Sequence, residues 1–234
     1  MDLKQIIEKL DRLFHIKDFE GAEKLLLFEA DKFKNIGDFR SELSIRSELV
    51  GLYRKLGEKE KAFVAVKLCD DIINNYNLGI YPQAGDVYIS CGTACVAFNK
   101  KDLAEDYFLK AEAIYNKTLD NFHIKKASLY NNWGTAYNNE KARIYITKAL
   151  NILLRLNNYP LELAMTYLNL ADTYHPIDDE KIINDLIEKA FICFDKAKLD
   201  EYYAFVCSKC IPVFEHYGYV FMANTLKERL KNID

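Results

Sequence analysis

A short pattern of side chains returns through the whole chain at a nearly constant interval, and this repeat limits the folds that the sequence can adopt. The pattern is a small residue, a large apolar residue four positions later and a small residue three positions after that. Its copies, some with a substitution, are Ala62, Val66, Cys69; Ala104, Phe108, Ala111; Ala142, Ile146, Ala149; Ile183, Ile187, Ala190; and Ala223, Lys227, Leu230, with a looser first copy at Ala22, Leu26, Glu29. Their first members lie 40, 42, 38, 41 and 40 residues apart. Six copies predict six stacked structural repeats.

A second pattern precedes each of these sets. Two adjacent residues and a third, usually aromatic, residue three positions further on share one helical face. The copies are Leu49, Val50, Tyr53; Cys91, Gly92, Cys95; Trp133, Gly134, Tyr137; Leu170, Ala171, Tyr174; and Cys210, Ile211, Phe214, with Leu10 and Leu13 as a loose first copy. Each repeat is therefore predicted to be a pair of helices, A and B.

The ends of these helices are marked by residues with known end preferences. Pro82 and Pro160 lie where an A helix begins, and Gly57 and Gly218 where one must stop. Asp2 and Asp102 are predicted N-caps. The predicted pairs are 2–15 and 18–35, 38–56 and 59–77, 81–99 and 101–118, 122–138 and 140–157, 160–175 and 178–197, and 199–217 and 219–232. The sequence shows no strand pattern, so we expect an all-α fold.

At the level of these motifs the chain resembles the tetratricopeptide repeat family. YNNWGTAY (130–137) and YLNLADTY (167–174) are closest to its pattern, followed by CGTACVAFNKKDLAEDYFLKA and LVGLYRKLGEKEKAFVAVKLC. The resemblance implies a right-handed α-solenoid of about six helix-turn-helix repeats, forming one domain over residues 1–234. Their approximate limits are 1–37, 38–79, 80–120, 121–159, 160–198 and 199–234. The interval is longer than the family's usual 34 residues and resembles that of kinesin light chains and bacterial peptide-pheromone receptors.

Two copies depart from the pattern. Five residues separate Tyr137 from Ala142 in the fourth copy, compared with nine between Tyr53 and Ala62, so its A–B connection should be about one helical turn shorter. In the fifth copy, Pro176 should end helix A.

Composition excludes several classes of function. The net charge is −3, from 32 basic and 35 acidic residues, which provides no broad positive field for nucleic acid or anionic lipid. No apolar run approaches the roughly 20 residues that span a bilayer, and the first residues lack the apolar core of a secretory signal. We expect a cytoplasmic protein that binds neither nucleic acid nor membranes.

Residue patterns typical of enzymes are also missing. The sequence contains no GxxxxGK[ST], GxGxxG, GxSxG or HExxH motif, and its four histidines are far apart. Cys207 and Cys210 could begin a zinc site, but all six cysteines are better interpreted as small buried apolar residues. No cofactor or metal is expected, and a metal-dependent enzyme is the least favoured interpretation.

The remaining candidate is the groove that A helices line in tetratricopeptide solenoids. Asparagine side chains cluster on its expected face, and an amide can both donate to and accept from the backbone of an extended peptide. In the kinesin-light-chain type, the resemblance implies such backbone contacts for Asn132 and Asn169. The full predicted peptide-binding set is Arg54, Asn131, Asn132, Thr135, Asn138, Asn169, Asp172 and His175.

The sequence therefore predicts a non-enzymatic module that binds a protein or peptide segment in its groove. A carboxylate clamp, which requires two lysines, an asparagine and an arginine, is missing. A peptide-sensing regulatory receptor and a self-assembling scaffold remain alternatives, and the sequence does not predict an oligomeric state.

Overall fold

The computed structural model describes residues 2–137, 140–231 and 233, and within them it is built from α-helices. The helices are α1 (Leu3–His15), α2 (Phe19–Asn35), α3 (Phe39–Leu56), α4 (Lys59–Asn75), α5 (Pro82–Ala97), α6 (Lys101–Thr118), α7 (Ile124–Gly134), α8 (Glu140–Leu156), α9 (Pro160–Ala171), α10 (Glu180–Asp195), α11 (Glu201–His216) and α12 (Val220–Leu230). A short 3₁₀ turn, Leu78–Ile80, connects α4 and α5. The predicted all-α class of repeated helical hairpins is confirmed.

The helices form two compact units, residues 1–120 and 121–234. The first unit contains α1 to α6, and the second contains α7 to α12. Within each unit, successive helices pack as A–B pairs, and A helices of neighbouring pairs also touch, as α3 and α5 do in the first unit and α9 and α11 in the second. The boundary falls between the predicted third and fourth repeats. The single domain over 1–234 stays a prediction.

Aspartate side chains at several helix starts satisfy backbone N–H groups that have no partner inside the helix. Asp2 accepts from the Gln5 N–H at 2.9 Å, and the Gln5 side chain accepts from the Asp2 N–H at 3.1 Å, which completes a capping box. The predicted cap at Asp102 is wrong, because α6 begins at Lys101 and its N-cap position is Lys100, whose side chain makes no capping hydrogen bond. Asp102 lies in the first turn, where its charge is favourable to the helix dipole.

The repeat positions predicted from the sequence form the core. Ala104, Phe108 and Ala111 of α6 are each 1% exposed or less. Phe108 packs so closely on α5 that a Cβ atom on Gly92 would lie 2.7 Å from its ring. In the fourth repeat, a Cβ atom on Gly134 of α7 would likewise clash with Ile146 of α8. The small residues of helix A therefore allow the two helices of a hairpin to approach closely.

The last repeat buries a different residue from the one that the pattern indicated. Leu226 is fully buried, while Lys227 is exposed and bonds to Glu215. The apolar position of α12 is thus one residue earlier, at i+3 from Ala223, which lies on the same helical face as i+4. Lys227 is a surface residue of the terminal hairpin.

The two irregular copies differ from their neighbours at the end of helix A. Helix α7 ends at Gly134 and not at 138, so the shortening predicted for the fourth copy removes residues from the helix itself. Helix α9 ends at Ala171, before Pro176 and four residues short of the predicted 175. The Arg143 guanidinium of α8 donates to the Thr173 carbonyl at 2.8 Å and holds the segment that follows α9.

Candidate functional site

The A helices of the second unit line a cavity of about 360 Å³. Its walls come mainly from one face of α7, one face of α9 and the first turn of α11. The lining residues are Ile124, Ala127, Ser128, Asn131, Asn132, Thr135, Leu153, Glu162, Met165, Asn169 and Tyr202. Four of the eight predicted binding residues, Asn131, Asn132, Thr135 and Asn169, are therefore brought together.

Helical spacing explains why these side chains share the cavity. Ser128, Asn132 and Thr135 follow one another at intervals of four and three residues, and therefore lie on one face of α7. Glu162, Met165 and Asn169 lie on one face of α9 at intervals of three and four. Most other buried side chains of the two helices are apolar, although α7 also buries Lys126 and α9 buries Thr166.

Asn131 bridges the two A helices. Its Nδ2 donates to the Thr166 hydroxyl of α9 at 2.6 Å, and that hydroxyl donates to the Glu162 carbonyl at 2.7 Å. Its Oδ1 is buried and accepts no hydrogen bond within the part of the chain that the structure describes. Asn131 thus connects neighbouring repeats, a contact that the sequence analysis did not predict.

The other two amides differ in how much of their hydrogen-bonding capacity is used. Asn132 Nδ2 donates to the Ser128 carbonyl at 2.9 Å, and the Thr135 hydroxyl donates to the Asn132 carbonyl at 3.0 Å. Asn132 Oδ1 accepts nothing from the described residues. The Asn169 side chain makes no hydrogen bond with any of them either. A ligand could therefore use the whole Asn169 amide and the oxygen of Asn132.

Glu162 and Tyr202 complete the cavity wall, and the sequence analysis missed both. The Tyr202 phenol donates to Glu162 Oε1 at 3.0 Å. Burial, followed by the nearby Glu162 charge, raises the pKa of Tyr202, so the phenol stays protonated at neutral pH. Glu162 could have been found from its spacing of seven residues to Asn169. Tyr202 is 40 residues further along the chain than Glu162, so only the tertiary structure places it here.

Three of the other predicted residues, Asp172, His175 and Arg54, lie elsewhere. Asp172 accepts a hydrogen bond from the Tyr217 phenol at 2.7 Å, and the His175 ring lies 3.0 Å from the Asp178 carboxylate. Neither lines the cavity. Arg54 is exposed in the last turn of α3, in the first unit. Asn138 lies outside the described residues.

The environments of the six cysteines are those of structural residues and not of reactive ones. All six are buried thiols. A hydrogen bond with the Cys69 thiol and burial raise the pKa of Cys91, and burial raises that of Cys210 to about 12, which makes both poor nucleophiles and poor ligands at neutral pH. The described residues contain no group of three or more His, Cys, Asp or Glu side chains that could hold a metal ion. Within them, too, every helix is too short or too polar to cross a lipid bilayer.

Comparisons with known proteins support the fold. No protein-family model matches the chain, and no curated protein does. Among solved structures, the crystal structure of BtubC (BKLC) from P. vanneervenii is similar, with a TM-score of 0.67. The two sequences are 24% identical, and the match covers 82% of this chain and 77% of that one. This likeness shows the fold alone, a helical repeat.

Proposed function

We propose that this protein is a non-enzymatic interaction module that binds an extended segment of a partner protein along the A helices of its second unit. Its repeats are of the long, 40–42-residue kind. The protein works in the cytoplasm, a reducing compartment suited to six free cysteines. A similar helical-repeat structure and the interval between the repeats support this assignment.

The observation that carries the proposal is the convergence of amide side chains from two helices on one cavity. Asn132 of α7 and Asn169 of α9 lie at corresponding positions of neighbouring repeats, two residues before the end of each helix. Asparagine is mildly unfavourable inside a helix, so two of them at matched positions call for a compensating role. Amide groups one repeat apart can bond successive peptide groups of one extended strand.

The expected affinity follows from the modest strength of each contact. A hydrogen bond to a neutral group contributes about 0.5–1.5 kcal/mol net. Removing one amide should weaken binding a few-fold to about tenfold, and removing both should nearly abolish binding of a micromolar ligand. The fold should survive, because neither amide belongs to the buried core.

The test starts with affinity capture of a partner on the full chain and mapping of the captured segment to a peptide. That peptide is then titrated against the parent protein and the double variant Asn132→Ala, Asn169→Ala. A matched control is Asn151→Ala with Asn224→Ala, since both side chains are exposed on helices and neither lines the cavity. Circular dichroism checks that each variant is folded. Equal affinity for a folded double variant and the control would refute the proposed site.

A further inference from the structure

More of the hydrogen-bond donors of the cavity than of its acceptors already have partners within the protein. The acceptors that are left indicate which kind of ligand side chain the cavity could bind. Three of the donors bond inside the protein: the Tyr202 phenol donates to Glu162, and the Thr135 hydroxyl and Asn132 amide donate to backbone carbonyls of α7. Buried polar groups without a partner are costly. A ligand must therefore offer what the cavity still lacks.

The unused groups are mainly acceptors. Asn131 Oδ1 is buried and accepts nothing from the described residues. Glu162 Oε1 accepts a hydrogen bond from the Tyr202 phenol, and no described residue donates to Oε2. The Asn169 amide keeps both a donor and an acceptor, and the Ser128 hydroxyl donates to none of the described residues. The cavity therefore favours a ligand group with several N–H donors.

The charge of the cavity also favours a ligand group with N–H donors. Among the described residues that line it, Glu162 is the one that is charged. No lysine or arginine of the described chain forms an ion pair with it, in contrast to the paired carboxylates of Glu20, Asp70 and Asp185. A carboxylate held by a phenol beside neutral amides is a complementary site for an ammonium or guanidinium group.

The aromatic wall also suits a cation. Tyr202 lines the cavity and is 44% exposed. It stacks on Phe205 with ring centroids 6.3 Å apart, but Phe205 lies outside the lining and already has the Lys209 ammonium 5.5 Å from its ring centroid. The face of such a ring attracts a cation within about 6 Å. Met165 and Ile124 supply apolar surface for the aliphatic stem of a long basic side chain.

We propose that the cavity accepts a lysine or arginine side chain of the bound segment, with Glu162 as its counter-ion. This inference rests on the proposed function, since Asn132 and Asn169 would hold the backbone on either side of the basic residue. It adds the specificity that neutral amides cannot provide. The partner segment is thus one with a basic residue at a fixed position.

The experiment uses a displayed library of random dodecapeptides selected on the intact protein. We expect the selected sequences to share a lysine or arginine at one position. A selected peptide is then synthesised with that residue and with norleucine, which keeps the aliphatic chain but carries no charge. The parent should bind the norleucine peptide about tenfold more weakly, the effect of losing a hydrogen bond to a charged group.

Variants assign the effect to Glu162. Glu162→Gln should bind the basic and norleucine peptides with nearly equal affinity, whereas Glu188→Gln, the same change at an exposed position of α10, should behave as the parent does. Glu162→Lys should select peptides with an acidic residue at the same position. The norleucine comparison on the parent needs no variant, so it remains decisive if a variant fails to fold.

The outcomes separate this inference from the proposed function. If peptides bind and depend on Asn132 and Asn169, but the parent does not distinguish lysine from norleucine, the basic-residue inference is overturned and the binding site stands. If the library yields no binder, or only binders that are indifferent to the double asparagine variant, both are overturned.

Discussion

Replacing Gly92 by alanine tests how the hairpins pack. The added Cβ would lie 2.7 Å from the Phe108 ring, a distance that real Cβ contacts essentially never show. Phe108 is fully buried, so its ring cannot swing into solvent. Relieving the contact requires moving packed groups, and overpacking of this kind costs about 1–3 kcal/mol.

Alanine also has a higher helix propensity than glycine, which offsets part of that cost. The gain is about 0.8–1 kcal/mol, so Gly92→Ala should destabilise by roughly 0–2 kcal/mol. Gly51→Ala in α3 isolates the propensity, because a Cβ atom there meets nothing within 4 Å. It should stabilise by up to about 1 kcal/mol. The two variants should therefore differ by about 1–3 kcal/mol, which is the cost of the clash alone.

The assay is urea denaturation followed by circular dichroism at 222 nm, with thermal melting as a second measurement. For a chain of this length, 1 kcal/mol corresponds to about 2–4 °C in Tm. Adding Phe108→Leu to Gly92→Ala provides a rescue, because the smaller side chain should remove part of the clash. Equal stability of Gly92→Ala and Gly51→Ala would refute the reasoning and, with it, the packing of α5 on α6.

The remaining predictions concern buried polar groups and the thiols. Arg46→Met should lower the free energy of unfolding by about 3–5 kcal/mol in urea denaturation, because it leaves the Glu42 carboxylate, which is 3% exposed, without its partner at 2.7 Å. The double variant Glu42→Met, Arg46→Met should cost much less, because it leaves no buried charge unpaired. Burial, followed by nearby Asp11, raises the pKa of Glu48, so the folded state binds the extra proton and stability should fall as pH rises above about 4.5. Glu48→Gln should therefore stabilise at pH 7, with a gain that vanishes at low pH; a gain independent of pH would contradict this. The six buried cysteines, including Cys91, should resist iodoacetamide in the native protein and react in urea, as counted by mass spectrometry; rapid labelling of the native protein would be contrary to their burial.

Much of the architecture follows from local patterns. The spacing that placed Ala104, Phe108 and Ala111 on one face could be read directly, because a helix brings i, i+4 and i+7 together whatever its neighbours are. Predicted helix limits agree with the structure within a few residues where a cap or proline marks them, as at Asp2, Pro82 and Gly57. Predictions were wrong where the sequence did not distinguish two neighbouring positions. Asp102 fits a cap and a first-turn residue equally well. Lys227 and Leu226 both lie near the buried face of α12, and only Leu226 is buried.

The site was only half accessible to the same reasoning. The face shared by Asn131, Asn132 and Thr135 is a property of α7 alone, and the sequence by itself determined it. The meeting of α7 with α9 and α11 is set by side-chain packing between repeats, which no local spacing encodes. Only the tertiary structure therefore decided that Asn131 bonds to Thr166 and that the Tyr202 phenol reaches Glu162 across 40 residues. The helical period fixes which way a side chain points, whereas long-range packing fixes what it meets.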